Sequence, residues 1–121
     1  METIRIPIDA IPQGRIRFEK GKGVVTPSRC LHFQKNFTTL VKSLRRESTL
    51  YIGALRVRID IYRKFETPMT QGFGDIDNLA KGILDACNGV LWKDDSQIVD
   101  LHIRKFTTNE KPHVGIRIGE I

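Results

Sequence analysis

Two periods run through the apolar positions of this chain, and they set out its elements. Ile4, Ile6 and Ile8 alternate with Arg5 and Pro7. That is the period-2 mark of a strand, and Pro7 points to a sheet edge because it cannot donate to a ladder. Residues 9–25 lack a period and read as a loop rich in glycine and basic side chains, Arg15, Arg17, Lys20 and Lys22 among them. Thr26 followed by Pro27 is a helix-start signal. Cys30, Phe33, Phe37, Leu40, Val41 and Leu44 then recur at helical spacing. They predict an amphipathic helix over 27–47 with Arg29, Lys35, Lys42, Arg45 and Arg46 on its outer face.

Leu55, Val57, Ile59 and Ile61 alternate with Arg56, Arg58, Asp60 and Tyr62, a half-buried strand. Residues 63–74 form a long loop, and loops of that length often carry function. A second helix is predicted over about 77–89, with Leu79, Ile83, Ala86, Cys87 and Val90 facing inward. Val99, Leu101 and Ile103 alternate with Asp100, His102 and Arg104 in a third strand. A turn over 109–112 leads to a last one at Val114, Ile116 and Ile118. The order is β-α-β-α-β-β without repeat or linker. The expected fold class is α+β: one domain over residues 1–121, with a mixed sheet packed against two helices.

Charge changes the picture more than composition does. A 40% hydrophobic content argues against disorder, and no apolar run reaches the ~20 residues a bilayer requires, so no membrane partner is expected. The start of the chain has no signal-peptide core, and Cys30 and Cys87 fall at apolar helix positions. Both features suit a cytoplasmic protein with reduced core thiols. The net charge is +6, which suits a polyanionic partner. Residues 1–47 carry ten Lys/Arg against four Asp/Glu, whereas 75–100 carry two against six. Six aspartates thus concentrate in one stretch of a basic chain. If the partner is a phosphate, a divalent cation between the carboxylates and the phosphate resolves the repulsion.

The acidic residues fall into two groups. Asp75 and Asp77 are two apart where an extended segment becomes a helix, so both carboxylates can reach one ion, with Asn78 as a neutral oxygen donor nearby. Lys81 lies four residues beyond Asp77, about 40° round the helix axis. Competing readings stay open: either aspartate can be a helix cap, and Asp77–Lys81–Asp85 can be a solvated i,i+4 ladder. The second group is Lys93-Asp94-Asp95-Ser96. Strand parity extended backwards puts Asp95 in phase with Val99, Leu101 and Ile103 on the inward face, which favours it over Asp94 as a metal ligand. Three aspartates form a hard, oxygen-rich site suited to Mg²⁺, with Mn²⁺ able to substitute, rather than Zn²⁺. His32, His102 and His113 lack ligand spacing and read as structural or surface residues. No Walker A or GxGxxG motif is present.

From GDIDNLAKGILDACNG through VLWKDDSQIVDLHIRK the sequence resembles the RusA family of Holliday-junction resolvases. IPQGRIRF and VVTPS extend the likeness to nearly the whole chain. The resemblance implies a homodimeric, Mg²⁺-dependent endodeoxyribonuclease that resolves four-way DNA junctions by paired nicks, in recombination and repair. It implies catalytic roles for Asp75, Asp77, Asp95 and Lys81, with the three aspartates as metal ligands. Family members often carry arginines just before the first aspartate, where this chain has QGFG. Phosphate grip is therefore expected from Arg15, Arg17, Arg56, Arg58 or Lys64. Phe73, with Phe65 and Met69, is a candidate wedge against unstacked bases or a dimer contact. Two other readings remain: a non-catalytic branched-DNA binding module, and a metal-dependent nuclease on simpler DNA or RNA substrates.

Overall fold

The computed structural model describes residues 1–11, 17–19, 23–25, 28–45, 49–65, 68–69 and 74–121, with backbone alone for 17–19 and 23–25. In chain order the elements are β1 (Glu2–Ile6), β2 (Arg17–Glu19), β3 (Gly23–Val25), α1 (Ser28–Leu44), β4 (Leu55–Lys64), α2 (Ile76–Cys87), a 3₁₀ turn (Asp95–Gln97), β5 (Ile98–Thr108) and β6 (His113–Glu120). The main sheet runs β1-β6-β4-β5. Its β4–β5 pair is parallel, and β6 is antiparallel to both β4 and β1. This is the expected α+β domain with a mixed sheet. The region read as a plain loop differs: β2 and β3 pair there as a separate two-stranded ribbon.

β4 sits at the centre because its apolar alternate is complete. Leu55, Val57, Ile59 and Ile61 are fully buried, and so are Val114, Ile116 and Ile118 on β6. Ile4 and Ile6 extend the same buried face to the β1 edge. Both helices lie on this face. α1 contributes Cys30, Phe33, Phe37 and Val41, and α2 contributes Leu79, Ile83, Ala86 and Cys87. Thr38 ties the helices together by donating to Ala86 O at 3.1 Å. Trp92 fills the end of the core, with its indole N–H satisfied by Asn88 Oδ1 at 2.9 Å. Both cysteines are buried and form no disulfide; burial pushes the Cys87 thiol up, so it stays protonated. No helix among the described residues is long and apolar enough to cross a membrane.

The turn between β5 and β6 does not make a hairpin of neighbours, since β4 lies between them. β5 is therefore an edge strand, as β1 is. Its inward face departs from simple alternation. Leu55 pairs with Ile98 but Arg56 pairs with Asp100, so Val99 is an extra, bulged residue. Val99 is 64% exposed and Leu101 40%, although both were expected to face inward. The bulge breaks the strand phase, and the edge position leaves Leu101 only partly covered.

A polar network closes the β1 end of the core. Arg45, with a side chain only 6% exposed, donates to both oxygens of Glu2 at 2.8 and 3.0 Å, and Tyr51 O–H donates to Glu2 at 2.7 Å. Burial alone pushes the Glu2 carboxyl up. The hydrogen bonds from Arg45 and Tyr51 and the charge of Arg45 outweigh it, so the carboxyl titrates below its ordinary 4.5. Burial and the bond to Glu2 push Tyr51 up to about 12. A depressed carboxyl contributes stability that is complete above the unfolded value and is lost as pH falls through the folded one. The melting temperature is therefore expected to fall below about pH 4.5. Glu2→Gln should be less stable at neutral pH and should lose less on acidification; equal acid slopes for the two proteins would contradict this role for Glu2.

Candidate active site

The chain enters α2 through Gly74, whose φ of 99° is a conformation that favours glycine. Lys105 of β5 holds this lead-in: its ammonium donates to Met69 O at 2.8 Å and to Gly74 O at 3.2 Å. By register Lys105 lies beside Ile61, on the helix side of the sheet. Asp75 follows at the N-cap position with extended backbone. Its carbonyl accepts from Leu79 N–H at 3.0 Å, but its carboxylate caps nothing. Asp77, in the first turn, accepts from Asn78 N–H at 2.9 Å. Both carboxylates are exposed. Lys81 is also exposed, and among the described residues no ion pair within 4.0 Å joins it to Asp77 or Asp85. The cap and ladder readings thus leave the Asp75 carboxylate and the Lys81 ammonium without a structural task among these residues.

The second acidic group is built differently. Asp94 caps the 3₁₀ turn: its carboxylate accepts from Ser96 N–H at 3.0 Å, a bond that holds its pKa below the usual carboxylate range. Asp95 opens the turn, is half-buried, and its carboxylate has no hydrogen-bond or ion-pair partner among the described residues. The preference for Asp95 thus has a different basis from strand parity, which fails across the bulge and the turn. Asp94 is engaged; Asp95 is available.

Gln97 locks this turn. Its Oε1 accepts from Lys93 and Asp94 N–H at 2.9 and 3.0 Å, and its Nε2 donates to Tyr51 O and Gly53 O at 2.9 and 3.1 Å. The sequence carried a signal for half of this, because Asp94-Asp95-Ser96-Gln97 has capping-box spacing. Nothing in the local sequence foretold the Tyr51 and Gly53 bonds, or the role of Lys105, which spans 31 residues.

The two groups do not meet within one chain. Among the described residues no three His, Cys, Asp or Glu side chains lie close enough to hold a metal ion. Asp75 and Asp77 lie at the start of α2, whereas Trp92 bridges to Asn88 at its end and leads into Asp95. Helix rise puts Asp75 about 20 Å from Asn88. The exposed oxygens of Asp75 and Asp77 are of the hard type that suits a cation such as Mg²⁺.

Of the expected DNA contacts, Arg56, Arg58 and Lys64 lie on β4 and are exposed. Arg56 pairs with Asp100 at 2.9 Å, and Arg58 stands 3.8 Å from Asp60. Arg15 and Phe73 lie outside the described residues, and Arg17 lies in β2 without a described side chain. Phe65 and Met69 are exposed.

The family model for the endodeoxyribonuclease RusA matches residues 7–119, a span that includes both acidic groups. The chain belongs to the RusA endodeoxyribonuclease family. It is also 30% identical to the uncharacterized protein YqaN of Bacillus subtilis (strain 168), over all of this chain and 99% of YqaN. Membership gives the acidic residues of this RusA-family chain a nuclease context.

Gln97→Ala leaves two N–H and two carbonyl groups without their partner. It is expected to cost about 1–3 kcal/mol in urea denaturation and to speed amide exchange at Lys93 and Asp94, whose N–H groups donate to Gln97 Oε1. Unchanged protection there would contradict the clamp.

Proposed function

We propose that this chain resolves four-way (Holliday) junctions in DNA as a homodimer, by paired symmetric nicks during recombination and repair. Asp75, Asp77 and Asp95 hold Mg²⁺ in this reading, with Mn²⁺ able to replace it. One observation carries it: in a RusA-family chain, the start of α2 exposes Asp75 and Asp77 beside Lys81, and the Asp75 carboxylate serves no cap.

The separation of Asp95 from that pair favours a site completed by two copies. β5 is an eleven-residue edge strand, and Val99 and Leu101 on it are exposed apolar residues. An open, apolar strand edge is a template for pairing with another chain. Two β5 strands run side by side in opposite directions set the Asp95 end of one against the Lys105–Gly74 end of the other. Each copy then lends Asp95 to its partner's Asp75 and Asp77. A two-fold arrangement of this kind also supplies two sites for two strands.

When bound, a divalent cation neutralises charge developing on the phosphate and acidifies the attacking water. The chain's own residues do the rest. The carboxylates fix the cation's position, Lys105 and Gln97 hold the backbone that carries them, and Lys81 offers its ammonium to a phosphate oxygen in the transition state.

A synthetic four-way junction with Mg²⁺ tests this reading. Wild type should give symmetric nicks. Asp75→Asn, Asp77→Asn and Asp95→Asn should each cut at least about 100-fold more slowly while still binding the junction. Junction binding with no cutting, indifferent to Mg²⁺ and to Asp75→Asn, would make the chain a binding module. Equal cutting of linear and branched DNA would remove the junction specificity. Mixing Asp75→Asn with Asp95→Asn protein should restore nicking to about a quarter of wild type, because half the dimers then carry one intact site. No recovery in the mixture would put all three carboxylates in one chain.

A further inference from the structure

The helices cover one face of the main sheet. On the other face the register produces an unfavourable arrangement. Arg117 of β6 stands directly opposite Arg58 of β4, and Arg58 stands beside His102 of β5. Neighbouring strands are about 4.8 Å apart, and like charges directly opposite each other destabilise a sheet.

The acids on these strands relieve it only in part. Both oxygens of Asp60 accept from Arg104, at 2.8 and 3.0 Å, which leaves Arg58 at 3.8 Å. Asp100 is shared between Arg56 at 2.9 Å and His102 at 3.0 Å. Arg117 donates at 2.7 Å to the thioether sulfur of Met1, an acceptor without charge. Between the arginines lies a depression of about 320 Å³ lined by Met1, Arg56, Arg58, His102, Arg117 and Gly119. Gly119, opposite Arg56, has no side chain to fill it.

We propose that the row Arg117–Arg58–His102 docks the phosphodiester backbone of DNA, without regard to sequence, on the sheet face away from the helices. The proposal rests on the reading of the chain as a DNA nuclease and extends it to a second, metal-independent contact surface. Arg58 was expected among the phosphate contacts in place of the arginines missing before Asp75; Arg117 and His102 join it only through register. A polyanion is the occupant that turns this row from a cost into a gain, because phosphates supply the charge that Asp60 and Asp100 do not. A second copy packed face to face about a two-fold axis through the row would set arginine against arginine.

Fluorescence anisotropy in EDTA, with a labelled four-way junction and a linear duplex, tests it. Arg58→Gln/Arg117→Gln should bind both DNAs about 10-fold more weakly or worse, with the slope of log K against log salt smaller by about 1.8. Arg117→Lys should keep the wild-type slope. Lys35→Gln/Lys42→Gln, on exposed positions of α1, should change affinity less than about 2-fold. Without DNA, the melting temperature of Arg58→Gln/Arg117→Gln should hold or rise, since the opposition of charges is relieved. Wild-type affinity and slope in that variant would overturn the proposal, as would a change in its oligomeric state by sedimentation without DNA. If wild type binds linear and branched DNA equally and cuts neither, the junction-resolving reading fails while the row stands. Binding to neither DNA overturns both.

Discussion

A twelve-residue helix stands between the two acidic groups of this chain, and its length governs how they can work. α2 rises about 1.5 Å per residue, and both of its ends are tied down. At the start, Lys105 reaches from β5 to Gly74 O. At the finish, Asn88 bridges to Trp92 and Trp92 to Tyr51, beside the first residues of β4. Leu79, Ile83 and Cys87 are fully buried between those ends, so the helix cannot slide to bring Asp75 toward Asp95. In the proposed reading, that fixed span is the reason a cation site draws on a second copy and an open β5 edge matters.

Both groups are held by side chains distant in sequence. Lys105 holds the turn before Asp75, and Gln97 joins the turn of Asp95 to Tyr51 and Gly53. Tyr51 in turn donates to Glu2, which Arg45 grips with two hydrogen bonds. A line of hydrogen bonds therefore runs from β1 through the end of α1 to the Asp95 turn. The central sheet serves as the common frame: β4 carries the core on one face and Arg56 and Arg58 on the other, where Asp100 of β5 pairs with Arg56 and Asp60 of β4 itself stands 3.8 Å from Arg58.

The sequence made the frame legible where burial was one-sided and complete. The alternation from Leu55 to Ile61 and the helical spacing of Phe33, Phe37 and Val41 both match the structure. The Asp75–Asp77 pair was equally visible, because its meaning is local. Parity misled at Val99, since a bulge flips strand phase and no composition signal marks it. The β2–β3 ribbon was missed because three-residue strands are too short to show a period. The convergence of three aspartates was expected within one chain, and here spacing could not help: the distance between Asp77 and Asp95 depends on where Trp92 docks. The opposition of Arg58 and Arg117 was hidden for a similar reason, as it arises only when β6 pairs with β4.

In the proposed reading a cation site forms from the acidic groups of two copies. Mn²⁺ binding, followed by electron paramagnetic resonance across a dilution series that spans the monomer–dimer equilibrium, tests it most directly. Bound Mn²⁺ is expected to track the dimeric fraction, and either Asp75→Asn or Asp95→Asn is expected to abolish it. A monomer that binds Mn²⁺ as tightly as the dimer, with no loss in Asp95→Asn, would contradict it.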